Sequence, residues 1–427
     1  IVYRLPAFIH RSAVRGLPSA RVLKDAVLLE RLNRLIEHLG IQVEADGRDL
    51  AGLLRPNDVT GATHFEVAHG DGVARAQVGL LLTGLVAYLV LVVRMMRPFA
   101  QSAPIGTEGC QLLTVDGLVG AEDLDIDHET ATVYIAAAGR RNSKDFHPDP
   151  GAMFRWQLDK QAVPTKLAVR GIGEALRPHG IGLYVHPSGE RRLFAVQHSP
   201  RGEAVFVFRI EDEQDKSWLT LARTVTAPHF VSLNDVTGSG QEAFYVTNDH
   251  GRKGPGGHLL EDASMIGRAS VVYFDGTSAR TVADKLRYAN GITLTPDGQR
   301  VFVAETTGYQ IRSYVRQPNG DLRPSDPPLF VDTSPDNFSI DDRGNLLLAG
   351  HPSPLQFLRH ARSAAQPAPS EVVQLSILSG ASGPASVQRI YREPGKLLSA
   401  SSVAVAHGAH LLIGGVFDRG ILHCPRR

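Results

Sequence analysis

Charge of one sign, cysteine and long apolar runs are all scarce in this chain. Its 45 basic residues are matched by 44 acidic ones, a formal net charge of +1. No basic patch stands out, which argues against nucleic acid as a partner. Cysteine occurs twice in 427 residues, at Cys110 and Cys424, so a single pair is all that can form. The uncharged apolar run 78–93 (VGLLLTGLVAYLVLVV) has 16 residues. At about 1.5 Å per residue it reaches roughly 24 Å, short of a comfortable bilayer crossing. Turn chemistry is what the chain has in quantity, with 42 glycines and 26 prolines beside an ordinary 43% of hydrophobic residues.

Six phrases recur, each an apolar strand, a turn rich in Gly, Asp or Ser, and a second apolar strand. They start at Gly120, Pro178, Ser232, Tyr288, Ser334 and Ala400, so the intervals are 58, 54, 56, 46 and 66 residues. Self-similarity at this period, with room for four strands per unit, predicts an all-β fold, a six-bladed β-propeller. In a propeller the first strand of each blade lines the axis. Each phrase carries polar residues at that point: Glu122/Asp123, His179, Asn234/Asp235, Asn290, Asp336/Asn337 and Ser401/Ser402. A ring of carboxylates and amide oxygens around one axis is a site for a hard cation, best matched by calcium.

Single members of this set have ordinary explanations. Asp297-Gly298 reads as a hairpin turn, and Asn234-Asp235 alone would read as a turn or cap. Asn290-Gly291 is read otherwise, because Asn290 stands where other repeats carry Asp, Asn or His. Neighbouring residues on a strand face opposite ways. Glu122-Asp123 and Asn234-Asp235 could therefore serve two cations along one axis. His179 and His198 flank the two strands of the second repeat, and two histidines at one mouth suit proton transfer. His250 and His351 end second strands of other repeats and could line the same mouth. Three stretches read as loops: 142–149, 252–257 and the Ser/Ala/Pro-rich 351–385.

The first 77 residues differ from the rest. The chain opens on Ile1 rather than Met, the expectation for a fragment or an uncertain gene start. Leu28, Leu29, Leu32, Leu35, Ile36 and Leu39 recur at helical spacing before Gly40, which predicts an amphipathic helix over 22–39. We divide the chain into a helical extension 1–77, a hydrophobic segment 78–97 and a propeller 98–427. The segment 78–97 can be a membrane anchor, a signal-like segment or a buried helix. A membrane-associated helix is favoured, since no comparable helix follows to bury it. Arg94 and Arg97 would hold its C-terminal side in the cytoplasm. Cys110 and Cys424 bracket the repeats and could be two buried thiols or a bond tying the first repeat to the last. A bond implies an oxidising, extracytoplasmic compartment, and the cysteine placement is given the greater weight.

The phrases GAEDLDI, LRPHGI, LNDV with FYVTNDH, YANGITLTPDG, PDNFSID, GHP and LLIGGVF together resemble the serum paraoxonase/arylesterase family, over residues 110–424. That resemblance implies a calcium-dependent hydrolase of aryl esters and lactones with two ions. A catalytic calcium would be held by Glu122, Asn234, Asn290, Asp336 and Asn337. A structural one would use Asp123, Asp235 and the backbone carbonyl of Ile181. It also implies a His179/His198 dyad that activates water, Tyr288 and His351 in the substrate pocket, and a closing Cys110–Cys424 disulfide. The segment 78–93 would associate with membrane or lipid. An alternative gives the base or nucleophile role to Asp336. Rival readings are a sugar-lactonase or strictosidine-synthase-like propeller enzyme, and a non-catalytic calcium-stabilised binding propeller. The chain departs from the family at Gly350, where a Cys often stands. Residues 139–150 do not align clearly with the family's active-site loop, and 1–77 have no counterpart.

Overall fold

The protein was analysed as a computed structural model, which describes residues 84, 86–98, 100, 103–141, 149–213, 216–377 and 384–426. The extension 1–77, its expected helix over 22–39, and most of the loop 142–149 lie outside the described residues. Of the segment 78–97, residues 86–96 are helical. Among the described residues no helix is long and apolar enough to cross a membrane.

Residues Met95–Arg427 form one compact unit. It consists of six sheets whose first strands are Ala121–Asp127, Pro178–Val185, Leu233–Gly238, Ala289–Leu294, Ser334–Ile340 and Ser401–His407. Each first strand touches the first strands on both sides, and that of sheet six touches that of sheet one. This is a closed ring, a six-bladed propeller. The ring is sealed by exchange: Gln111–Leu113, from the start of the propeller, pairs antiparallel with Ile421–Pro425 as the outer strand of blade six. Cys110 and Cys424 are disulfide-bonded across that seam, with a sequence separation of 314 residues. Closing so long a loop restricts the unfolded chain, which is how such a bond stabilises the fold.

The core lies between blades rather than inside one. Alternation along a strand sends successive side chains to opposite faces. Phe244 and Val246 of blade three pack with Phe194 and Val207 of blade two, whereas Tyr245 between them packs with Ile292 and Val303 of blade four. Leu346 and Leu348 likewise face blade four and Leu347 faces blade six. Six such layers follow one another round the ring. Continuous apolar second strands, such as TVYIAA at Thr132–Ala137, are buried on both faces for this reason.

All six first strands share one irregularity. Their pairing with the second strand shifts between Ala121 and Asp123, Pro178 and Ile181, Leu233 and Val236, Ala289 and Ile292, Pro335 and Phe338, and Ser401 and Val403. A bulge bends a strand and re-aims its side chains. Here every bulge falls on the polar residues of the repeat. We call this the bulge end of the axis and the opposite end, where the hairpins close, the turn end.

Two loop expectations are corrected. Within 351–385, Pro354–Arg362 is a helix with Pro at its first positions, its N-cap Ser353 accepting from the Gln356 amide, and Ser370–Ile377 is a strand. The Ser, Ala and Pro residues there are cap and connector, not one long loop. The stretch 252–257 leads directly into the helix Gly254–Ser264, which also opens on Gly-Pro.

Candidate active site

Asn290-Gly291 is not a turn. Gly291 lies within a first strand, and a Cβ there would sit 2.5 Å from the Asp336 carbonyl oxygen and 2.6 Å from the Asn337 Cα. Gly180 stands at the same point of blade two, where a Cβ would meet the Asp235 backbone and carboxylate at 2.4 Å. Bulged strands approach the axis so closely that only glycine fits. Asp297-Gly298, by contrast, is the hairpin turn expected, with Gly298 at φ +68 and its amide on the Thr295 carbonyl.

The bulges bring Glu122, Asn234, Asn290, Asp336 and Asn337 to one buried end of the axis. Asn337 Nδ2 donates to the Glu122 carboxylate at 2.8 Å. Asn234 Nδ2 donates to Asp249 at 3.3 Å. With their nitrogens so employed, the amide oxygens are left over. Oδ1 of Asn234, Asn290 and Asn337 and Oε2 of Glu122 are buried with no hydrogen-bond partner. An unsatisfied buried acceptor costs about 1–3 kcal/mol, so four in one place call for an explanation. Asp336 accepts from His351 Nε2 at 2.9 Å. Burial raises the Asp336 carboxyl, against the opposing pull of His351. Burial also works to raise Glu122, but the neighbouring His179, Arg140 and Asn337 outweigh it and hold the group at about 2. Asn337 begins an Asn-Phe-Ser sequon, yet its side chain is fully buried, which leaves no room for a glycan.

One step deeper, Asp123 and Asp235 stitch blades together. Asp123 accepts the amides of Leu124 at 2.9 Å and of Ile181, in the next blade, at 2.6 Å. Asp235 accepts those of Val236 and Ile292 at 2.7 Å each. Burial pushes both carboxyls well above their ordinary values; Asp235, Glu122 and Asp125 raise Asp123 further, and Glu122 raises Asp235 against the amides of Ile292 and Val236. Two carboxylates in that state favour a cation or a proton between them.

His179 Nδ1 and His198 Nε2 are 2.8 Å apart, and His198 Nδ1 lies 2.9 Å from Glu203 Oε2. A carboxylate can only accept, which places a proton on His198 Nδ1; with His198 neutral, its Nε2 is then an acceptor. The proton of neutral His179 must then sit on Nδ1. Its Nε2 faces the axis, 3.6 Å from Glu122 Oε1; it carries a proton when His179 is charged, the state that pulls Glu122 down, and a lone pair when His179 is neutral. Glu203 escaped the sequence reading, although a signal existed. The hairpin closing at Ser199 and Gly202 pairs His198 with Glu203 directly. Asp249 was also passed over. It accepts from Ser232 Oγ at 2.6 Å and from His250 Nδ1 at 2.8 Å. Burial lowers the His250 imidazole pKa, but Asp249 and Asp262 overcome this and push it up to about 10. Tyr288 holds a left-handed backbone at φ +55, with its ring edge-on to His250 at 5.0 Å. Burial raises its phenol well above the usual range.

Among the described residues no three His, Cys, Asp or Glu side chains form a metal cluster by themselves. The set at the bulge end is half amide. The orphaned oxygens are amide and carboxylate, with no sulfur among them, and suit a hard cation of variable coordination; His351 Nδ1 is also buried without a partner.

A family model described as Arylesterase matches residues 105–425. Serum paraoxonase/arylesterase 1 of Rattus norvegicus is 32% identical over 356 residues, 80% of this chain and 98% of that protein. Serum paraoxonase/lactonase 3 of Mus musculus is 31% identical, covering 74% of this chain and 88% of its own length. A solved gluconolactonase from Xanthomonas campestris, 18% identical over 77% of this chain and 98% of its own, reaches a TM-score of 0.44, too loose to add to the topology above.

Proposed function

The chain belongs to the arylesterase family and is an ester-hydrolysing enzyme; on that premise we propose that it is a calcium-dependent hydrolase of aryl esters and lactones, working at the bulge end of the axis. The observation that carries the proposal is the group of four buried oxygens without partners, on Glu122, Asn234, Asn290 and Asn337. These residues, with Asp336, would hold one calcium. Asp123, Asp235 and the Ile181 carbonyl would hold a second, structural one. When bound, calcium supplies a Lewis acid for the ester carbonyl and for the charge that develops on its oxygen.

The side chains do the rest. His179 Nε2 takes a proton from water, with the ring held by His198 and Glu203. This chain of contacts, ending in a carboxylate, favours His179 as base over Asp336, which is bonded to His351. Asp249 turns the Asn234 amide so that its oxygen faces inward. Tyr288 and His351 would line the substrate pocket. The exposed apolar side chains of Val86, Leu89 and Leu91 support lipid or membrane association of 78–97. The disulfide supports an extracytoplasmic location. Hydrolysis of phenyl acetate and of a δ-lactone, measured before and after exhaustive chelation and again after calcium is restored, tests the proposal. Loss and recovery are expected, and full activity without calcium would refute it.

A further inference from the structure

At the bulge end stands a charge that the ester chemistry does not use. Arg140 NH1 donates to the carbonyls of Gly120 at 3.2 Å and Ala138 at 3.0 Å, and NH2 to that of Pro178 at 2.9 Å. These carbonyls belong to the edges of blades one and two. They fix the guanidinium plane, and NH2 lies 3.9 Å from Glu122 Oε2, one of the four unpartnered oxygens. The side chain is only 10% exposed. We infer that Arg140 is a resident cation that competes with calcium for Glu122 and sets the calcium affinity of the bulge end low.

This rests on the calcium reading above and deepens it. Two like charges a few ångströms apart in a half-dry site repel strongly. A surface arginine would swing away when a second cation arrived. Arg140 is held by three carbonyls on two blades, so withdrawal would sacrifice those bonds. Calcium sites are tuned by the net charge of their surroundings. A fixed positive charge moves this one towards the weak range that suits calcium-rich extracellular fluid.

Calcium titration by calorimetry of the whole protein, alone and as R140M, R140Q and R140K, tests the inference. The neutral variants should bind calcium at least about tenfold more tightly, because they no longer carry the opposing charge. R140K should stay near the unsubstituted protein. Unchanged or weaker binding in R140M and R140Q would overturn the inference and leave Arg140 a clamp between blades. Absence of any calcium binding to the unsubstituted protein would instead overturn the calcium reading itself. Should the neutral variants unfold without metal, the growth of their folding stability with the logarithm of the calcium concentration c, fitted to RT ln(1 + c/Kd) together with the metal-free stability, reads the dissociation constant. A fitted dissociation constant no lower than that of the unsubstituted protein would again overturn the inference.

Discussion

The two ends of the axis are built from the same residue types and do opposite things with them. At the turn end, acids are fully used. Asp127 accepts from the Glu129 amide at 2.9 Å, Thr130 Oγ1 at 2.8 Å and Arg191 Nε at 2.6 Å. Asp341 accepts from the Arg343 and Asn345 amides at 3.0 and 2.7 Å. Asp125, deeper in, takes the amides of Ile126 and Leu183 at 2.8 and 2.6 Å. At the bulge end, oxygens outnumber donors. The difference teaches that a buried acid or amide is assigned by its surplus of acceptors rather than by its identity. Regular pairing and tight turns supply donors, whereas a bulge takes a strand out of register and withholds them.

The largest test of this contrast is removal of calcium, which should silence the bulge end and leave the turn end untouched. Hydrolysis should disappear and the thermal midpoint should fall, because an ion bound only by the folded state stabilises it by mass action. Glu122→Gln should lose hydrolysis together with calcium binding by the Glu122, Asn234, Asn290, Asp336 and Asn337 set. Turnover that survives in Glu122→Gln would remove that residue from the site.

Next in size is the proton relay. His179→Gln should lower turnover by roughly 10²–10⁴, the usual range for a lost acid–base group, while calorimetry shows calcium binding retained. His198→Gln and Glu203→Gln should cost less, since they only orient the base. The rising limb of the pH–rate profile should vanish in His179→Gln alone. A limb that persists there would move the base role to Asp336.

Smaller, and confined to stability, is the stitching carboxylate. Asp123→Asn removes a charge that two amides address, and should cost about 1–3 kcal/mol in urea unfolding. The activity of the molecules still folded should be largely kept. Equal loss of turnover in Asp123→Asn and Glu122→Gln would erase the distinction between the proposed catalytic and structural calcium sets.

The smallest effect belongs to the turn end. Burial works to raise the Asp127 carboxyl, but Thr130, Arg191 and the Glu129 amide prevail and lower it. A native value below the unfolded value means stability that is present above the unfolded pKa near ~3.9 and is lost as pH falls through the native one. Asp127→Asn should therefore be less stable than the unsubstituted protein at pH 7, and the gap should close in acid. Hydrolysis at neutral pH should not change. A gap that stays constant to low pH would show that Arg191 pairs with something else.

Repetition alone was enough to determine the architecture. Six phrases at a near-regular interval demand six equivalent units, and only a closed ring aims all six polar points at one axis. The residues of the proposed site stand out for the same reason: Glu122, Asp123, Asn234, Asp235, Asn290, Asp336 and Asn337 interrupt apolar strands in register. Helix and strand within 351–385 were not, because cap and connector residues imitate a loop when packing is unseen. Glu203 needed the local hairpin pairing and Arg140 the tertiary structure. Glu203 acquires meaning only when the hairpin sets it opposite His198, and Arg140 only when carbonyls from two blades converge on it. Composition can place an oxygen near the axis. Whether that oxygen is satisfied depends on donors brought by other blades, and those are contacts between residues distant in the chain.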